Sequence, residues 1–119
     1  MVVEEIYKTA IIYKIFNKWT DEIYIGSTSK SLDERFASHK WSYFESIDEC
    51  SKYKKKWTAS HYLLHKFEDD CDIETIEECY NISKEDLLNL EGFYQMLHRD
   101  VIVNNRIATG LPYVYSIII

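Results

Sequence analysis

From Ile11 to His39 the sequence joins two strand-like runs to a capped helix start, and the rest of the chain reads as support for that unit. Tyr7 to Phe16 is rich in β-branched and aromatic residues without a helical period. Tyr24-Ile25-Gly26 follows a polar turn, Asn17-Lys18-Trp19-Thr20-Asp21, which completes a β-hairpin pattern. Alternation puts Ile11, Tyr13 and Ile15 on one face of the first strand and Ile12, Lys14 and Phe16 on the other. On the second strand Tyr24 and Gly26 oppose Ile23 and Ile25, and both strands are expected to be buried on both faces. If Tyr13 and Tyr24 serve one site they must share a face, for example directly opposite each other across an even-numbered connection. Ser31-Leu32-Asp33-Glu34 is a capping-box pattern, so a helix is expected from Leu32, with Leu32, Phe36 and Tyr43 as its core stripe. Arg35 and His39 lie about 40° apart beside that stripe, where helix meets sheet. Two tyrosines, an arginine and a histidine gathered near Gly26 suit a phosphate group.

The remaining segments read as support. Glu45 to Lys56 is polar and ends in Lys52-Tyr53-Lys54-Lys55-Lys56-Trp57, either a solvated lysine loop or a phosphate-backbone contact with packing on Tyr53 or Trp57. A short helix is expected from about Trp57 to Phe67, with Trp57, His61 and Leu64 on one side. His61 and His65 have the spacing of a metal pair but no further ligand nearby, so they are expected at the surface. Ile73 to Tyr80 reads as a third strand whose acidic outer positions suit a sheet edge. Ser83-Lys84-Glu85-Asp86 opens a helix to about Arg99. On it Leu87, Leu88 and Tyr94 surround Glu91 angularly, so this carboxylate projects from the apolar face and needs a cation, a metal or several donors. An ion pair and a metal ligand are both open. The apolar run Val101-Ile102-Val103 ends in Asn104 and Asn105, which either make a turn or hold an active-site loop or water.

With 119 residues, 46% hydrophobic residues, one proline and three glycines, the chain is expected to form a single domain over 1–119, its core at about 7–108. Met1 to Glu5 shows no basic start followed by an apolar run, and Cys50, Cys71 and Cys79 are odd in number without a C-x-x-C, so an intracellular protein with reduced, packed thiols is expected. Tyr113 to Ile119 is too short to span a bilayer, and no membrane association is expected. The net charge of −6 opposes nucleic-acid binding, yet its distribution is uneven. Lys14 to Lys66 holds ten Lys and Arg against seven Asp and Glu, while Phe67 to Asp100 holds two against eleven. This permits one basic face.

Phosphodiester cleavage needs an activated water, neutralisation of charge growing on the phosphate and stabilisation of the leaving oxygen. Glu91 could hold one Mg²⁺, Arg35 could fork onto phosphate oxygens, and His39 or a tyrosine could move the proton.

On Ile12-Tyr13-Lys14-Ile15, Tyr24-Ile25-Gly26-Ser27-Thr28, Leu32 with Arg35-Phe36 and His39, then Glu91 and Asn104, the chain resembles the GIY-YIG nuclease family, particularly its homing-endonuclease-like branch. The resemblance covers roughly residues 10 to 108. It implies a small α/β (α+β) domain, a three-stranded antiparallel sheet flanked by helices, that hydrolyses DNA with Mg²⁺ or Mn²⁺. By position it makes Tyr13 the general base or water-orienting tyrosine and Tyr24 the hydroxyl that completes its network. Arg35 becomes the phosphate-stabilising arginine, His39 the accompanying histidine, Glu91 the metal ligand and Asn104 the structural asparagine. Gly26 would let backbone approach the site, and Lys52, Lys54, Lys55 and Lys56 are the candidate nucleic-acid contacts. Ile11 stands where the first motif has glycine, and the adjacent Asn105 leaves the asparagine uncertain by one residue. The appended DNA-binding domain of homing and repair members has no counterpart, so a separate DNA-targeting domain or partner protein is a candidate partner. The alternative is a catalytically inactive nucleic-acid-binding or assembly module retaining the fold.

Overall fold

The structure, a computed structural model, describes residues 5–48 and 58–104. Its elements run β1 (Ile6–Asn17), β2 (Tyr24–Thr28), α1 (Leu32–Ile47), α2 (Ala59–Phe67), a 3₁₀ turn (Glu68–Asp70), β3 (Cys71–Ser83) and α3 (Lys84–Leu97). The three strands form one antiparallel sheet in the order β2-β1-β3. This is the expected α+β architecture. β3 lies at an edge as its acidic positions suggest, although it is longer at both ends than Ile73 to Tyr80.

Both helix starts expected from sequence form as capped. The Ser31 hydroxyl accepts from the Glu34 amide at 3.2 Å, and the Ser83 hydroxyl accepts from the Asp86 amide at 3.0 Å. α1 continues through Glu45 to Ile47, beyond where the apolar pattern fades; there Ser46 is buried and its hydroxyl donates back to the Tyr43 carbonyl.

The sheet is covered on both sides, which explains why β1 lacks a simple apolar/polar alternation. Ala10, Ile12, Ile23, Ile25 and Cys79 pack with Leu87 of α3 on one face. Tyr13, Ile15, Tyr43, Leu63, Leu64 and Cys71 form the core on the other, under α1 and α2. Ile12, Ile15, Ile25 and Leu63 have no solvent exposure, and each such side chain stabilises the fold by about 1.5–3 kcal/mol. Cys71 and Cys79 are buried free thiols, in keeping with packing roles; Cys50 lies outside the described residues.

The hairpin register differs from direct opposition of the tyrosines. Tyr13 pairs with Gly26 and Ile15 with Tyr24, so the two rings are diagonal neighbours on the same face, centroids 6.4 Å apart. They still share a face. Beyond α3 the chain returns along the outer edge of β2. The Ile23 amide donates to the Val101 carbonyl at 3.0 Å, and the Val103 amide donates to the Ile23 carbonyl at 2.8 Å. This covers an otherwise open sheet edge.

His61 is not a surface histidine. It is 1% exposed, because its Nδ1 accepts the Thr58 amide at 3.1 Å in the place where a capping box usually has Glu or Gln. His65 is exposed as expected, and its Nδ1 pairs with the Tyr43 hydroxyl at 2.8 Å. Among the described residues, no helix is long and apolar enough to cross a membrane.

Candidate active site

Tyr13 is the centre of the cluster. Its ring lies over Gly26, and a Cβ at position 26 would stand 2.5 Å from the Tyr13 hydroxyl oxygen. The glycine is thus required by internal packing: Gly26 is buried, and the space beside its Cα is filled by the phenol. The Arg35 Nε donates to the Tyr13 hydroxyl at 3.0 Å, and that hydroxyl lies 2.7 Å from His39 Nε2. One helical turn between Arg35 and His39 lets α1 present both to the same phenol. The His39 Nδ1 is 2.9 Å from the Ser60 hydroxyl of α2, which is 3.3 Å from Thr58 Oγ1. One protonation pattern joins them all: Arg35 to Tyr13, Tyr13 to His39 Nε2, His39 Nδ1–H to Ser60. This tautomer is assigned from the network.

Tyr24 completes this face, its ring edge-on to His39 at 5.3 Å. No hydrogen bond engages its hydroxyl among the described residues, and no buried polar atom there lacks a partner, so the hydroxyl reaches solvent. Tyr24, Arg35 and His39 line a cavity of about 300 Å³. Arg35 forms no ion pair among the described residues, which leaves the terminal nitrogens of its guanidinium available.

Glu91 approaches from α3, on the opposite side of the sheet. The Ser27 hydroxyl of β2 donates to its Oε1 at 2.5 Å, and Gln95, one turn along α3, donates to its Oε2 at 3.2 Å. The same Gln95 amide donates to the Ile25 carbonyl at 3.2 Å. Asn104 donates to that carbonyl at 2.8 Å and accepts the Ile25 amide at 3.0 Å. Its side-chain amide therefore extends the ladder that Val101 and Val103 begin along β2. Among the described residues Asn104 is the asparagine that braces Ile25. It makes no hydrogen bond to Tyr13 or Tyr24 among the described residues, and shares the Ile25 carbonyl with Gln95.

Burial dominates the protonation states. Burial, with Arg35 and His61 adding to it, pushes His39 down to about 3, so the ring is neutral near pH 7. Tyr13 is raised by burial and by Tyr24 against the opposing pull of Arg35. Tyr24 is raised by burial and by Glu91. Burial raises Glu91 even though Ser27, Arg35 and Gln95 all act to lower it. Two donors, Ser27 and Gln95, and one cation, Arg35, thus offset only part of the effect of its burial.

A family model for the GIY-YIG catalytic domain matches residues 9–105. The chain belongs to the GIY-YIG family. A curated relative, "Uncharacterized protein 019R" of Invertebrate iridescent virus 6, is 51% identical over 35 residues, which is 29% of this chain and 12% of that protein. The chain thus spans about an eighth of the length of the relative it matches. No solved structure matches it.

GIY-YIG domains are those of nucleases that act on DNA and generally use divalent metal ions. Among the described residues of this GIY-YIG domain no group of three or more His, Cys, Asp or Glu side chains could cage a metal. Glu91 alone suits an ion that takes one carboxylate and fills its other positions with water and phosphate oxygens. The candidate residues Tyr13, Tyr24, Arg35 and His39 are brought together, whereas Glu91 lies across the sheet, bonded to Ser27 of β2, with the charge of Arg35 acting to lower its pKa. Lys52, Lys54, Lys55 and Lys56, with Tyr53, Trp57 and Asn105, lie outside the described residues. Sequence reasoning passed over Ser27, Ser60 and Gln95. The i, i+4 spacing from Glu91 to Gln95 was a usable signal; Ser60 carried none.

Proposed function

We propose that this domain is a DNA endonuclease that hydrolyses phosphodiester bonds with one Mg²⁺ or Mn²⁺ on Glu91. The observation that carries the reading is the hydrogen-bonded trio of Arg35, Tyr13 and His39, in which the arginine keeps its fork uncommitted beside an open cavity.

In this reading the terminal nitrogens of Arg35 grip non-bridging oxygens of the scissile phosphate. The Tyr24 hydroxyl orients the attacking water within the cavity. Tyr13 and His39 then act as one unit: the water's proton enters at the Tyr13 oxygen as the phenol's own proton moves to His39 Nε2. Tyr13 has no solvent exposure in the free protein, so this step requires the phosphate to draw Arg35 away from it. The same pairing answers the low basicity of His39. A phosphate cancels the Arg35 charge that adds to burial and brings negative charge of its own, which raises the ring's proton affinity once DNA is bound. Ser60 holds the opposite nitrogen so that Nε2 stays the acceptor. Ser27 and Gln95 aim the Glu91 carboxylate. When bound there, the divalent ion neutralises phosphate charge and stabilises the leaving oxygen.

The net charge of −6 favours the second reading, a module that binds nucleic acid without cutting it. Supercoiled plasmid incubated at low salt with Mg²⁺ or Mn²⁺, beside an EDTA control, separates the two. Nicking should require metal and fall roughly 10²–10³-fold in Arg35→Ala, the scale for loss of a charge-stabilising donor. Binding without cleavage by folded wild type in either metal would establish the module instead.

A further inference from the structure

The Arg35 side chain also borders a second cavity, of about 320 Å³, on the side of the arginine where Ser27 lies. Lys30, Lys84, Tyr7 and Ser38 contribute to its wall, and Arg35 and Ser38 are common to this cavity and the one holding Tyr24 and His39. Neither Lys30 nor Lys84 makes an ion pair among the described residues, whereas Lys14, Lys18 and Lys66 are each matched to a carboxylate. In a chain with 20 acidic residues against 14 basic ones, these two unpaired lysines line one cavity, whereas Lys8 and Lys40, which also make no ion pair among the described residues, do not line it.

Both lysines stand on fixed backbone. The Lys30 amide donates to the Thr28 hydroxyl at 3.0 Å, and the Lys84 amide donates to the Glu5 carbonyl at 3.0 Å. Lys84 is also the first residue of α3, where a positive side chain opposes the helix dipole and carries a small stability penalty. The acids of that turn, Glu85 and Asp86, do not line the cavity.

We propose that this second cavity is a subsite for the backbone phosphate next to the scissile one on the same DNA strand, held by Lys30 and Lys84. The inference rests on the proposed action on DNA and adds the path of the strand. It crosses Arg35 from the Tyr24 and His39 side to the side of Ser27, whose hydroxyl donates to Glu91. Lysine suits the role because a point charge tolerates varied phosphate geometry, and contacts of this kind position a strand without reading its sequence.

Fluorescence anisotropy of a labelled DNA duplex, in EDTA so that nothing is cut, tests the subsite across a series of KCl concentrations. Wild type is compared with Lys30→Ala, Lys84→Ala, the double variant and Lys18→Ala as a charge-matched control, with plasmid nicking in Mg²⁺ measured in parallel on wild type. Each phosphate contact removed lowers the slope of log affinity against log salt by about 0.9. The double variant should therefore lose about 1.8 and the control nothing. A double variant with the wild-type slope overturns the subsite, and if wild type still binds and nicks, the nuclease reading stands without it. A reduced slope in the double variant, beside a wild type that never nicks, leaves a phosphate site at these lysines and overturns the nuclease reading. Absence of any DNA binding at low salt overturns both.

Discussion

Gly26→Ala tests the packing that sets the site. The added methyl would lie 2.5 Å from the Tyr13 hydroxyl oxygen and 2.7 Å from its Cζ, inside van der Waals contact. Tyr13 cannot swing aside: it is fully buried, and its hydroxyl is held by Arg35 and His39. Overpacking of this kind destabilises by about 1–3 kcal/mol. For a domain of this size that lowers Tm by roughly 4–12 °C. A displaced phenol also shifts the Arg35 and His39 geometry, so nicking should fall about 100-fold. Thermal unfolding by circular dichroism and the plasmid rate are the two readouts. Tyr13→Phe removes the nearer clashing atom, so the double variant should be less destabilised than the sum of the single ones, by about 0.5–3 kcal/mol. A Gly26→Ala protein with wild-type Tm and rate would refute the reasoning.

Other residues give sharper local readouts. Asn104→Ala removes both hydrogen bonds to Ile25, costs about 1–3 kcal/mol, and should increase hydrogen exchange at the Ile25 amide; unchanged protection would deny its bracing role. Gln95→Ala should weaken Mn²⁺ binding about 10–100-fold by electron paramagnetic resonance, the usual effect of losing a group that orients a ligand, and unchanged affinity would count against Gln95 as its aligner. His39 should show no titration of its ring signals by NMR between pH 5 and 8, whereas a midpoint near 6.5 would contradict its buried, neutral state. The stability consequence has a definite sign. A histidine depressed in the fold binds its proton only when unfolded between about 3 and 6.5, so its stabilisation is full above that window and is lost as pH falls through it. Urea midpoints should therefore drop from pH 7 to pH 5, and the drop should shrink in His39→Gln.

Local chemistry made much of this legible. Ser31 and Ser83 cap where their spacing to Glu34 and Asp86 says they should, and the period-2 alternation put Ile11, Tyr13 and Ile15 on the face that carries the site. Glu91 was legible as an expensive carboxylate, but its partners are Ser27 and Gln95, and it forms no ion pair among the described residues. The features that escaped are non-local. The pairing of Tyr13 with Gly26 depends on how the eight residues between Ile15 and Tyr24 close the hairpin, which no short pattern encodes. Burial of His61 and Ser60 depends on α2 docking against α1, and the cover of β2 by 101–104 depends on the chain's return after α3.

Glu91→Gln is the most direct measurement of whether this cluster is a metal-dependent nuclease site. The amide keeps the side chain's shape and removes its charge, and because burial opposes that charge in the fold, Tm should stay level or rise. Initial nicking rates in saturating Mg²⁺ should fall at least about 100-fold against wild type, the loss expected when the charged ligand is removed. A folded Glu91→Gln protein that nicks plasmid at the wild-type rate would contradict the assignment of this site.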